Sequence, residues 1–122
     1  MPGLATGIGS LPHEDPRAAV EVVLEETPRL PFAPELPMRS AREGMVAQWA
    51  GALPEVTVGD DGSIAIDLDA AHGIPSGRVD WDAHSGLAAF LDAAAQRSDD
   101  LPRMKAQVTG PLTLGVALME AG

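Results

Sequence analysis

Apolar residues fall into short runs and one-sided stripes separated by Gly and Pro, the pattern of strands alternating with helices. Residues 4–9 form a small-residue apolar run ending in Gly7-Ile8-Gly9-Ser10-Leu11-Pro12, which reads as a buried strand entering a loop. A helix is expected at once: Asp15 is a good N-cap and Pro16 a good first residue. Val20, Val23, Leu24 and Thr27 recur on one face, and Pro28 marks the end. Residues 30–34 are apolar enough for a second buried strand, with prolines that fit poorly inside a ladder. Residues 38–53 carry a helical pattern with Met38, Arg42, Met45, Val46 and Trp49 on one side, stopped by Leu53-Pro54. Val56 and Val58, the turn Gly59-Asp60-Asp61-Gly62, and Ile64, Ile66 and Leu68 predict a β-hairpin. After a loop over 70–78, Asp80 is expected to cap a third helix that buries Leu87, Phe90, Leu91 and Ala94 and ends near 99–102. Residues 103–108 read as a third strand, and Thr109-Gly110-Pro111 opens a last helix, apolar at Leu112, Leu114, Val116, Leu118 and Met119.

Strands separated by helices imply βαβ crossovers, so the expected class is α/β with three parallel strands and a hairpin excursion after the second. Three such strands make an arc whose last edge is unpaired, a route to self-association. At 122 residues the chain suits one domain and is short of the roughly 250 that a complete (β/α)8 barrel takes. Aromatics are only 3% of it, so the core must come chiefly from aliphatic side chains. With 18 acidic against 8 basic residues the net charge is −10, which repels nucleic acid. The absence of cysteine excludes disulfides, thiolate metal sites and cysteine nucleophiles from this stretch. No secretory leader or membrane-spanning run is evident, so a cytoplasmic protein without membrane contact is expected.

Candidate chemistry gathers where strands end, because loops and helix N-termini converge there in parallel α/β architectures. Gly7 and Gly9 would let a ligand approach the backbone, and Ser10 can offer N–H and O–H to a carboxylate; a tight turn with one polar residue accounts for the same letters. Glu35 follows the second strand directly, among Pro34, Leu36 and Pro37. A partly desolvated carboxylate needs a cation, either a ligand ammonium or the nearby Arg39 or Arg42. Gly110 and Pro111 repeat the strand-end logic as a helix cap. His13 is a candidate rim contact, whereas His72 and His84 read as surface or structural residues, since no metal-binding spacing links the three. The acidic residues at 60, 61, 67 and 69 lack the calcium-loop pattern and read as a solvated turn.

Three segments in order resemble the catalytic barrel of the cobalamin-independent methionine synthase family, within the superfamily that also holds uroporphyrinogen decarboxylase. They are Thr6-Gly7-Ile8-Gly9-Ser10-Leu11-Pro12-His13, Pro34-Glu35-Leu36-Pro37 followed by Met45-Val46, and Lys105-Ala106-Gln107-Val108-Thr109-Gly110-Pro111-Leu112-Thr113-Leu114. The resemblance covers nearly the whole chain. It implies that residues 1–122 are the N-terminal part of one partial TIM (β/α)8 barrel domain. It also implies a methyltransferase that makes methionine from homocysteine. Carried over by position, Ile8, Gly9 and Ser10 cradle the amino acid and Glu35 binds its ammonium group; His13, the rim candidate, completes the expected substrate-binding set. The family's zinc ligands lie in later strands, so zinc is expected in a longer protein and no turnover from this stretch alone. The family's Arg-Cys pair after the hairpin has no counterpart at 69–80, which leaves the methyl donor open between a folate and a corrinoid. Two alternatives are a decarboxylase-like or thiol-methyltransferase barrel with an arginine-rich rim, near which only Arg17 and Arg39 fall, and a non-catalytic acidic α/β interaction domain.

Overall fold

A computed structural model describes residues 3–69, 73–75, 77–97, 99–100 and 103–122. His72, expected at the surface or in a structural role, lies outside the described residues. Among the described residues the fold is mixed α/β, with four α-helices and a two-stranded antiparallel sheet.

Helix α1, Pro16–Glu26, starts where the N-cap signal places it: the Asp15 carboxylate accepts from the Arg17 N–H at 3.0 Å. It ends at Thr27, whose N–H and hydroxyl both return to the Val23 carbonyl, which stops the next turn. Its buried stripe is Ala19, Val20, Val23 and Leu24. Removing the cap oxygen by Asp15→Ala is expected to cost about 1 kcal/mol, a fall of about 4 °C in Tm for a domain of this size; an unchanged thermal midpoint would mean that α1 is held by its buried face alone.

The expected helix over 38–53 breaks up. In its place stand a 3-10 turn, Ala41–Glu43, and the four-residue helix α2, Ala47–Ala50. Gly44 is extended (ψ 151°), so the helix cannot run through it. The buried side also differs from the periodic one, because Met38 and Met45 are exposed while Glu43, Ala47, Gln48 and Ala50 face inward. Burial of Glu43 decides this: its carboxylate must reach Arg39 and Ser85, which a regular stripe over 38–53 would prevent.

The hairpin forms as expected, with β1 (Val56–Val58) against β2 (Ile64–Ile66) in the register Val56↔Ile66 and Val58↔Ile64. In its turn Ser63 hydrogen bonds hold the Asp61 carboxyl below the usual aspartate range. Asp80 caps a 3-10 turn, Trp81–Ala83, and α3 (Ser85–Gln96) starts only afterwards. Phe90 and Ala94 are buried as expected; Leu91 is exposed instead. The last helix, α4, spans Pro111–Ala121 with no residue buried, leaving Leu112 and Met119 more than four-fifths exposed.

The three segments expected to be parallel strands meet through two single parallel bridges, Ser10↔Glu35 and Phe32↔Lys105, rather than extended ladders. Glu35 donates to the Gly9 carbonyl and accepts from Leu11, each at 3.0 Å; one segment over, Ala33 donates to the Lys105 carbonyl at 2.8 Å and Lys105 to the Pro31 carbonyl at 2.9 Å. Pro31 and Pro34 have no N–H to donate, so the middle segment cannot support a continuous ladder on both sides. Helices α1 and α3 pack together over this segment, enclosing Val20, Val23, Leu24, Phe32, Ala33 and Phe90. Among the described residues no helix is long and apolar enough to cross a membrane.

Candidate functional site

The parallel bridge sets Ser10 beside Glu35 at the end of the first two segments. Its bonds use Gly9, Leu11 and both backbone groups of Glu35, so the N–H and C=O of Ser10 take no part in it. Gly9 is buried and left-handed (φ +66°), a conformation that glycine adopts without steric cost. A Cβ placed there would stand 2.9 Å from Oε2 of Glu35 and 3.7 Å from Nε2 of Gln107. The carboxylate therefore lies directly over the bare Cα, with the Gln107 amide alongside.

Alternate residues of the third segment hold this arrangement from one face. Lys105 Nζ donates to the Gly7 carbonyl at 2.9 Å and Gln107 Nε2 to the Ala33 carbonyl at 2.9 Å. Thr109 Oγ1 donates to the Met45 carbonyl. The two-residue period of an extended chain puts all three side chains on one side.

Neither arginine that could have neutralised Glu35 does so. Arg39 Nη1 reaches Glu43 at 2.5 Å, and Arg42 Nη2 reaches Asp80 at 3.2 Å. Among the described residues no ion pair or hydrogen bond is made by the Glu35 carboxylate, which is half-buried. Glu43, only 1% exposed, is by contrast well supplied, accepting from Arg39 and, at 2.8 and 2.7 Å, from the Ser85 hydroxyl.

Beside Glu35 lies a cavity of about 20 Å³, lined among others by Gln107, Glu43, Gln48, Trp49 and His84. His84 is not at the surface: it is 5% exposed, its ring meets Trp49 edge-on at 4.7 Å, and its Nδ1 stands 2.8 Å from the Asp80 carbonyl. A carbonyl can only accept, so His84 Nδ1 is the donor in this contact. Gln107 Oε1, Gln48 Nε2, Trp49 Nε1 and His84 Nε2 are buried without a partner in the structure.

Of the residues singled out from the sequence, Gly9, Ser10 and Glu35 come together. The Ile8 side chain is 81% exposed, so its contribution to a cradle would be its backbone. His13 is half-buried with an unpartnered Nδ1 and does not line the cavity. Gln107 and His84 carried no role in the sequence reading. A signal for Gln107 was present in the alternation of polar Lys105, Gln107 and Thr109 within an otherwise strand-like stretch; for His84 there was none. Among the described residues no three His, Asp or Glu side chains converge to hold a metal ion, so this arrangement does not fit zinc. No family model matches the chain, and no curated protein or solved structure is significantly similar to it.

Proposed function

We propose that the Gly9–Ser10 turn and Glu35 grip the amino-acid end of homocysteine or methionine, as the substrate-holding part of a methionine-synthase-like methyltransferase barrel. The observation that carries this reading is the uncompensated Glu35 carboxylate over the glycine turn. A half-buried anion without a cation is costly, and the ammonium group of an α-amino acid supplies both the charge and the N–H donors. The N–H and hydroxyl of Ser10, outside the bridge, are available to the α-carboxylate. These residues position the substrate and leave the sulfur end free to react elsewhere.

The family resemblance brings zinc as thiol activator and a folate or corrinoid as methyl donor. Nothing among the described residues fits the metal, so the role proposed for this chain is restricted to binding and orientation. The decarboxylase-like alternative needs free arginines at the rim, and Arg39 is already committed to the buried Glu43. A non-catalytic interaction domain would make Glu35 dispensable. The exposed apolar residues of α4 fit the proposed self-association, whether through this helix or a sheet edge.

Titrating the chain with L-methionine, followed by amide NMR, tests the reading. Shifts are expected at Gly9, Ser10 and Gln107. Since a hydrogen bond to a charged group is worth about 1.5–3 kcal/mol, Glu35→Gln is expected to weaken binding roughly ten- to hundred-fold. Equal binding of 4-(methylthio)butanoate, which lacks the amino group, or full binding by the variant, would refute the assignment.

A further inference from the structure

We propose that α4 is the seam of a symmetric dimer, in which a second copy of this chain lays its own α4 antiparallel across the exposed apolar stripe Leu112, Val116 and Met119. The pairing is independent of the reading of Glu35, and it names the surface and the orientation through which self-association runs.

The helix is apolar on two sides. It contacts strand β2, with Leu114, Ala117 and Leu118 half-buried, while Leu112, Val116 and Met119 are exposed. At about 3.6 residues per turn the exposed three recur at the i, i+4, i+7 spacing of a coiled-coil seam, on the side away from the half-buried set. The patch continues beyond the helix: Val108 is exposed, and the bond from Thr109 Oγ1 to the Met45 carbonyl brings the exposed Met45 up to its N-terminal end. Charge selects the occupant. A chain of net charge −10 meets a second copy at least cost where charges are fewest, and from Ala106 to Gly122 the sole charged residue is Glu120. Glu120 also fixes the direction. It sits in the last turn of α4, at the negative end of its own helix dipole, while the first turn has neither a capping side chain nor an acidic residue. Antiparallel pairing centred between Gly115 and Val116 sets each Glu120 beside the uncapped N–H groups of the partner's first turn, and a parallel pair would bring the two carboxylates together. The same register puts Leu112 against the partner's Met119 and Val116 against the partner's Gly115, whose Cβ position has no atom within 4 Å. A helix of 11 residues is about 16 Å long, so this seam is smaller than the roughly 800 Å² a side of a standard interface, and a weak dimer is expected.

Sedimentation equilibrium of the whole chain over roughly 5–500 µM tests the seam, with a monomer–dimer dissociation constant on the order of 100 µM expected. Met119→Ser and Val116→Ser leave the net charge unchanged, and each is expected to weaken the dimer at least about ten-fold, because the apolar contact is lost twice. Met119 is more than four-fifths exposed in the monomer, so its replacement leaves the fold intact. Glu120→Gln is expected to weaken association about three- to thirty-fold, and Glu120→Lys more, although both changes lessen the overall repulsion between copies. Glu120→Lys also puts a cation at the C-terminal end of its own helix and is expected to raise the thermal midpoint of the monomer slightly. Stability and association then move in opposite directions, which a merely structural role would not produce. A monomer throughout the concentration range overturns the dimer. A dimer that both serine variants leave intact lies elsewhere, as at a sheet edge, and overturns the seam. Tighter association of Glu120→Gln overturns the antiparallel arrangement.

Discussion

Gly86→Ala is expected to lower stability by about 3 kcal/mol, at the upper end of what overpacking usually costs. Gly86 is the second residue of α3 and is buried; a Cβ there would fall 2.1 Å from the carbonyl oxygen of Pro34 and 2.9 Å from its carbonyl carbon. Those are backbone atoms of the middle segment, so no side-chain rotation relieves the clash. Either α3 lifts from the Val20–Phe32–Phe90 cluster or Pro34 moves, and Pro34 immediately precedes Glu35. Urea unfolding should show the midpoint falling by about 1–3 M at unchanged slope. Gly115→Ala is the control: nothing lies within 4 Å of its Cβ position in α4, and helix propensity should raise stability by up to about 1 kcal/mol. A midpoint for Gly86→Ala equal to that of the unaltered protein would show that α3 does not press on Pro34 in solution.

Gly9→Ala is expected to abolish amino-acid binding, at least ten-fold, for a modest loss of stability. The left-handed backbone costs an L-residue roughly 1–2 kcal/mol. The added methyl meets the free end of the Glu35 side chain at 2.9 Å, and a flexible carboxylate can swing aside cheaply. Swinging aside is what destroys the site, because the anion leaves both the turn and the Gln107 amide. Charge is retained in this variant and removed in Glu35→Gln, so similar binding losses in the two would locate the effect in the placement of the carboxylate. The L-methionine titration together with a urea curve separates the cases; full binding by Gly9→Ala would mean that the carboxylate acts from some other position.

How far the chain could be read varied with the range of the interactions. The Asp15-Pro16 start of α1, the hairpin and the whole of α4 were legible, since capping, turn chemistry and period-two alternation act over a few residues. The segment over 38–53 was misread because its apolar spacing competes with a buried ion pair: Glu43 turns inward to meet Ser85, 42 positions away, and Gly44 breaks the helix that the spacing favours. His84 reads as a surface or structural residue because three isolated histidines show no ligand spacing; its burial against Trp49 and its contact with the Asp80 carbonyl come from partners that local periodicity does not reveal.

Local chemistry written along the chain was therefore enough to nominate Gly9, Ser10 and Glu35 and to name Arg39 and Arg42 as the rival partners of that carboxylate. Packing alone decided the rivalry, by drawing Arg39 to Glu43 and Arg42 to Asp80 and leaving Glu35 unpaired. It also brought Gln107 and His84 to the same recess. The reason is one of range: caps, turns and strand alternation are set by neighbours within a few residues, whereas a counter-ion is chosen by whichever charge the folded chain carries into reach.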